Sequence, residues 1–106
     1  MSKHKTLTFG EFIRELRENL KLPLRKIAAE LDIDPSLLGK IERNERHPTK
    51  EQIKRLAQIF NQDENFLLSE YLSDQIAYKI IEEESDLNIL KVAERKVHYL
   101  KTKKNG

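Results

Sequence analysis

Residues 22–44 read LPLRKIAAELDIDPSLLGKIERN, and this stretch predicts two short helices joined by a tight turn. In its first half, three apolar residues share one face at the helical period of 3.6 residues: Ile27, Ala28 and Leu31. The next three residues interrupt that period. Asp34 is suited to cap a new helix because its carboxylate can accept bonds from free N–H groups, and Pro35 fits the next position, where no donor is needed. A second helix is therefore expected to begin at Pro35.

This second helix has an unusual pattern of side chains. Leu38 and Ile41 are expected to face inward, and four residues are expected to face outward: Ser36, Leu37, Gly39 and Lys40. A solvated helix surface ordinarily carries Glu, Lys and Gln. A glycine inside a helix costs about 1 kcal/mol relative to alanine, so Gly39 indicates close approach to another surface. The pattern alone is also compatible with an ordinary helical hairpin in a small bundle.

The stretch resembles the helix-turn-helix of the Xre/Cro-type transcriptional regulators. The matching positions span both helices and the loop that follows: Leu22, Ile27, Ala28, Leu31, Ile33, Ser36, Leu38, Ile41, Glu42, Arg43 and Pro48. The match continues at Thr49, Leu56 and Ala57, and it covers roughly residues 9–68. Pro23 and Leu24 replace the hydroxyl–Gln pair that the family often places against DNA. Asp32 and Asn44 stand where glycine is usual, and asparagine tolerates the left-handed conformation well.

The resemblance implies an all-α fold with a five-helix, repressor-like DNA-binding domain. That domain is assigned to residues 8–70, between a flexible basic tail at 1–7 and a helical dimerisation extension at 71–106. The implied function is that of a sequence-specific transcriptional regulator that binds double-stranded DNA. Such a regulator would act as a homodimer on a near-palindromic operator, with half-sites about one helical turn apart.

The resemblance also implies residue roles. The expected base-reading residues are Ser36, Leu37, Gly39 and Lys40. The expected phosphate contacts are Leu24, Arg25, Arg43, Asn44, Arg46 and Lys50. Arg17 occupies the position that pairs in this family with the carboxylate of the Ile-Glu step, here Glu42. A partly buried pair of this kind would tie the chain's first helix to the end of the helix that begins at Pro35, which is the recognition helix of this family. The alternative is that the two residues are unrelated surface charges.

Capping boxes predict the starts of two flanking helices. Thr8 and Glu11 place one start near Phe9, with a buried stripe of Phe9, Phe12, Ile13, Leu16 and Leu20. Thr49 and Gln52 place the other, in a helix that reaches about Phe60 and has its inward residues at Ile53, Leu56, Ala57 and Phe60. Asp63 is expected to cap a fifth helix.

The C-terminal segment carries apolar residues that the small domain does not need. Leu90, Ala93, Val97 and Leu100 recur at heptad-like spacing. We assign six residues to a dimer interface: Tyr71, Ile76, Ile80, Leu90, Val97 and Leu100. The alternatives are packing on the same monomer and an antitoxin-type role, in which the C-terminal helices bind a partner protein. Ser73 could divide residues 64–84 into two helices, and Ser85 is expected to cap a last helix of about residues 86–101.

Composition and charge distribution indicate where DNA would bind and which other functions are not expected. Residues 1–60 hold 13 Lys and Arg against 9 Asp and Glu, whereas residues 61–106 hold 7 against 9, so the basic half carries the expected DNA element. Lys3 and Lys5 lie in a tail that is either disordered or an arm touching phosphates.

The chain has no cysteine and no apolar run long enough to span a membrane, and we expect it to be cytoplasmic. His4, His47 and His98 are scattered, so no metal, cofactor or enzymatic activity is expected.

Overall fold

The computed structural model of the protein describes residues 5–105, and within them it contains helices and no strand. The helices are α1 (Phe9–Asn19), α2 (Leu24–Leu31), α3 (Pro35–Glu42), α4 (Lys50–Ile59), α5 (Glu64–Glu82) and α6 (Ile89–Asn105). The all-α prediction is therefore confirmed. The chain divides into two compact units, Met1–Asp74 and Gln75–Gly106, called here the first and the second unit. Lys3 and most of the predicted basic tail lie outside the described residues.

Side-chain caps begin four of the helices where the sequence indicated. Both predicted capping boxes are present, at Thr8 with Glu11 and at Thr49 with Gln52. The Asp34 carboxylate accepts from the backbone N–H of Ser36 at 3.1 Å, and that of Asp63 accepts from the N–H of Phe66 at 2.8 Å. These bonds satisfy N–H groups that have no partner inside their own helix, and so they fix the helix starts.

The first unit closes around a continuous apolar core. In it α1 packs on α3, and α2 packs on both α3 and α4. The core is formed by Phe9, Ile13, Ile27, Ala28, Leu31, Leu38, Ile41, Ile53, Leu56, Ala57, Phe60 and Leu67. The prediction that Leu20 belongs to the buried stripe of α1 is wrong. Leu20 is 55% exposed because it is the C-cap of α1, and the next residue, Lys21, turns left-handed with φ of 59°.

The second unit contains the end of α5, a turn and α6. Helix α5 runs without a break through Ser73, whose Oγ donates to the carbonyl of Glu70 instead of capping a new helix. Helix α6 begins at Ile89 rather than near residue 86. The expected cap at Ser85 is wrong, since the Asp86 carboxylate accepts from the N–H of Asn88 at 2.7 Å and so orders the turn before α6.

Large apolar side chains of the second unit remain exposed, although several continue the helical pattern that predicted an interface. Those more than two-fifths exposed are Ile76, Ile81, Leu87, Ile89, Leu90, Val97, Tyr99 and Leu100. Ile80 is half-buried. Across the described part of the chain, no helix has both the length and the hydropathy needed to cross a membrane.

Candidate nucleic-acid interface

A left-handed residue makes the turn between α2 and α3. Asp32 has φ of 60° at the C-cap of α2, at one of the two positions where the sequence departed from the usual glycine. The N–H of Ile33 then donates to the carbonyl of Ala28 at 3.0 Å, while the Ile33 side chain packs against the core. Asp34 and Pro35 follow as cap and first helical residue. The predicted helix–turn–helix geometry is thus present.

Helix α3 divides into a buried face and an exposed face. Leu38 and Ile41 are buried, as expected, and Ser36 and Lys40 are exposed. Leu37 is half-buried against the core. Gly39 is buried, so the expectation that it faces outward is wrong.

The surroundings of Gly39 contain two side-chain neighbours, one from α2 and one from the end of α3. A Cβ atom there would lie 3.3 Å from Arg43 Nη1 and 3.9 Å from Leu24 Cδ1. Because one neighbour is at ordinary contact distance and the other is the end of a flexible arginine, Gly39 is not required by the packing of α3 on α2. It forms the wall of a cleft of about 220 Å³ that is lined by Arg14, Arg17, Leu24, Gly39, Glu42 and Arg43.

The start of α2 also borders this cleft and differs from the other helix starts of the first unit. Its N-cap is Pro23, which makes no side-chain cap bond. Leu24 is the first helical residue, and Arg25 beside it is exposed. An uncapped helix N-terminus next to guanidinium groups favours an anionic ligand, because N–H groups and the helix dipole both attract negative charge.

The predicted Arg17–Glu42 pair is formed, and it is buried. Arg17 Nε lies 2.7 Å from Glu42 Oε2, and Nη2 lies 3.0 Å from Oε1, while Nη1 donates to the carbonyl of Leu22 at 2.8 Å. The side chains are 11% and 4% exposed. Hydrogen bonding to Glu42 raises the pKa of Arg17 above its ordinary value. The pair joins α1 to the end of α3 and so holds α3 in place.

Asn44 has a role that the sequence did not indicate. It adopts φ of 63°, as its place at a usual glycine suggested, but its side chain contacts the start of α1. Its Oδ1 accepts from the N–H of Gly10 at 3.2 Å, and its Nδ2 donates to Thr8 Oγ1 at 2.8 Å. The side-chain amide is thus engaged inside the first unit while Asn44 stays exposed, and a phosphate contact from this residue remains a prediction.

Gly10 was missed by the sequence analysis. A Cβ at this position would lie 2.5 Å from the carbonyl oxygen of Glu42 and 2.6 Å from that of Ile41. Helix α1 can therefore pack this closely on the end of α3 only because Gly10 has no side chain. The signal available in the sequence was a glycine inside a predicted helix.

The remaining predicted cations lie around the loop between α3 and α4. Arg43, Arg46 and Lys50 are all exposed. Arg43 donates to the carboxylate of Glu45, a partner that sequence reasoning also missed. This bond raises the pKa of Arg43 above its ordinary value. The loop can offer positive charge to an anionic ligand, with one acidic residue among its cations.

Tyr71, which we assigned to the dimer interface, is half-buried and contacts other residues of the first unit. Its ring meets that of Phe9 edge-on, with 5.6 Å between the centroids. Its hydroxyl lies 3.1 Å from Nδ1 of His47, in the loop between α3 and α4.

Within the described residues, no group of three or more His, Cys, Asp or Glu side chains is arranged to hold a metal ion.

A family model described as a helix-turn-helix domain matches residues 10–73, which is more than half of the chain. The chain belongs to this helix-turn-helix family. The resemblance to the Xre/Cro-type proteins is thereby confirmed, and the protein is a DNA-binding transcriptional regulator.

A solved structure of similar fold is that of a SinR protein/SinI protein complex. It matches with a TM-score of 0.53 and 18% sequence identity, over 93% of this chain and 100% of that chain. At this identity the likeness concerns the fold alone. A search of curated proteins found no match.

Proposed function

We propose that the protein is a sequence-specific transcriptional regulator that binds a near-palindromic operator as a homodimer. The observation that carries the proposal is the exposed face of α3, where Ser36 follows the turn and Lys40 lies in the last helical turn, while Leu38 and Ile41 anchor the helix. A recognition helix fixed on one side and exposed on the other is suited to the major groove. The proposal assigns this helix to base edges and its surroundings to phosphates.

Base reading is assigned to the exposed residues of α3. Lys40 would donate to O6 or N7 of guanine, and the exposed part of Leu37 would touch a thymine methyl group. The Ser36 hydroxyl, which donates to Asp34 Oδ1 at 3.1 Å, would accept from a base edge. Gly39 enters this account indirectly. It lines the cleft beside Leu24 and Arg43, so its missing side chain keeps that space open between the recognition helix and the start of α2.

Phosphate binding is assigned to the cleft and to the loop after α3. Leu24 would offer its backbone N–H at the uncapped start of α2, and Arg25 lies beside it. Arg43, which lines the same cleft as Leu24, supplies an exposed cation together with Arg46 and Lys50 of the following segment. Contacts of this kind position a protein on DNA without reading sequence, and each should contribute to the salt dependence of binding.

The homodimer is supported by the apolar side chains of the second unit. Ile76, Leu90, Val97 and Leu100 are between 45% and 57% exposed. Contiguous apolar patches of a few hundred Å² or more mark interaction sites in proteins of this size. A second copy of the chain offers the same patch, so that pairing about a twofold axis covers both and delivers two recognition helices to one operator.

A second candidate is that the second unit binds a different protein. Two observations favour it: the exposed apolar side chains, and the fact that the similar solved structure is a complex of two proteins named SinR and SinI. This role is compatible with DNA binding by the first unit. The mass of the pure protein in solution separates the candidates, since a stable dimer covers the patch and a monomer leaves it for another partner.

The test of the function begins with selection of bound duplexes from random DNA, which yields a preferred sequence. Lys40→Ala should then weaken binding to that duplex by about 1–3 kcal/mol and relax the preference at one position of each half-site. Lys54→Ala removes the same charge from an exposed position of α4 and is the matched control. If Lys40→Ala weakens selected and random DNA equally, Lys40 is a phosphate contact and the base-reading assignment fails.

A further inference from the structure

One acidic side chain lies among the cations assigned to phosphate binding. The Glu45 carboxylate accepts two bonds from the Arg43 guanidinium, from Nε to Oε2 at 3.2 Å and from Nη2 to Oε1 at 3.3 Å. Both side chains are more than half exposed. The backbone N–H of Glu45 donates to the carbonyl of Lys40 at 2.8 Å, which fixes Glu45 beside the end of the recognition helix.

The carboxylate is ionised and surrounded by the cations of the interface. Its bond to Arg43 lowers the pKa of Glu45, and the charge of nearby Lys40 lowers it further. A guanidinium binds carboxylate and phosphate oxygens with the same two-pronged geometry. Glu45 therefore occupies one two-pronged edge of Arg43, formed by Nε and Nη2, in the geometry that a DNA phosphate would use.

We propose that Glu45 competes with DNA for Arg43 and so limits the affinity of the protein for every DNA sequence; this inference rests on the proposed function. When DNA binds, Arg43 exchanges the carboxylate for a backbone phosphate, and the released carboxylate then faces a polyanion. Both effects oppose binding. Because phosphates carry no sequence information, the opposition is the same on operator and on random DNA.

The experiment measures dissociation constants on the selected duplex and on a random duplex, at several salt concentrations. Glu45→Gln keeps the shape of the side chain and removes its charge. It should bind both duplexes about two- to fivefold more tightly at low salt, with a gain that shrinks as salt is raised. Glu83→Gln is the matched control, since Glu83 also pairs with a cation, Lys79, at 3.5 Å, in an exposed ion pair of the second unit.

A double-mutant cycle tests the competition for Arg43 specifically. In an Arg43→Ala background, Glu45→Gln should give a smaller gain than in the wild type, because no guanidinium is left to release. An equal gain in both backgrounds overturns the proposal, and so does a gain no larger than that of Glu83→Gln. Weaker binding confined to one base pair of the selected duplex also overturns it and makes Glu45 a base contact.

The same measurements distinguish failure of this inference from failure of the proposed function. If the wild type binds duplex DNA and Glu45→Gln gives no gain, the inference alone is wrong. If neither the wild type nor any variant binds duplex DNA at low salt, the proposed function is wrong, and the inference falls with it.

Discussion

The two units of the chain use similar apolar helices in different ways. In the first unit, Ile27 and Leu38 are completely buried, and the predicted Arg–Glu pair is buried between helices. In the second unit, Ile81 and Leu87 are 71% and 69% exposed. The contrast shows that apolar periodicity predicts a helix but does not indicate which surface, if any, its apolar face packs against. The first unit builds a buried core from its apolar faces, whereas the apolar side chains of the second unit remain largely exposed.

The sharpest test of the closed first unit is its buried ion pair. Arg17→Ala should lower the free energy of unfolding by about 3–5 kcal/mol, because Glu42 would be left buried without its partner. Arg43→Ala breaks an exposed pair and should cost about 0–1 kcal/mol. Urea unfolding measures both. A double-mutant cycle between Arg17 and Glu42 that gives no coupling energy would contradict the account.

A pair of leucines compares the cores of the two units directly. Leu38→Ala empties a completely buried site and should cost about 3 kcal/mol of unfolding free energy. Leu90→Ala, at a site 45% exposed, should cost less than about 1 kcal/mol if the protein is studied as a monomer. A larger loss at Leu90 that depends on protein concentration would point to the interface between copies. Equal, concentration-independent losses would contradict the comparison.

Charged substitutions test whether a second copy covers the second unit. Leu90→Asp with Val97→Asp should convert the dimer into a monomer and weaken operator binding, while the unfolding free energy of the first unit changes by less than about 0.5 kcal/mol. Sedimentation gives the mass, and the far-UV spectrum reports helix content. Exposed Lys91 and Glu94, replaced by Ala on the same helix, provide the control. A doubly charged variant that stays dimeric would place the interface elsewhere.

The smallest expected effect concerns Asp74, the last residue of the first unit. Burial raises the pKa of its carboxyl, although the bond from the N–H of Phe9 opposes that shift. A raised pKa in the folded state means that Asp74 stabilises most below the unfolded pKa, and that this contribution is lost as pH rises through the folded pKa. The stability of the wild type relative to Asp74→Asn should therefore fall as pH rises from about 4. Unfolding curves at several pH values measure it, and a relative stability that rises with pH would refute it.

Local signals predicted the helix starts well. Capping residues act within three or four positions, so Thr8, Asp34, Thr49 and Asp63 could be recognised from sequence spacing alone. The buried ion pair was reached through the family resemblance. The apolar core also followed from periodicity, except at Leu20, where the helix ends and the period no longer describes the backbone.

The contacts that were missed join segments distant in sequence. Asn44 and Glu45 have the composition of an ordinary polar loop, and nothing in their spacing says that one bonds to α1 and the other to Arg43. Gly39 was assigned to an exposed face and is buried at the wall of the cleft, and the Tyr71 ring contacts that of Phe9. Such partners depend on the direction of individual side chains after the helices have packed, which a linear pattern does not specify.

The start of α1 has a consequence for local opening of the fold. The N–H of Phe9 donates to Asp74, 65 residues away, and that of Gly10 donates to Asn44, 34 residues away. Amides in the first turn of a helix ordinarily exchange their hydrogens with water quickly, because they have no partner. Here exchange at these two amides requires separation of α1 from both the loop after α3 and α5. Their protection against deuterium should therefore approach that of the central core, so that the first turn of α1 reports cooperative unfolding rather than fraying.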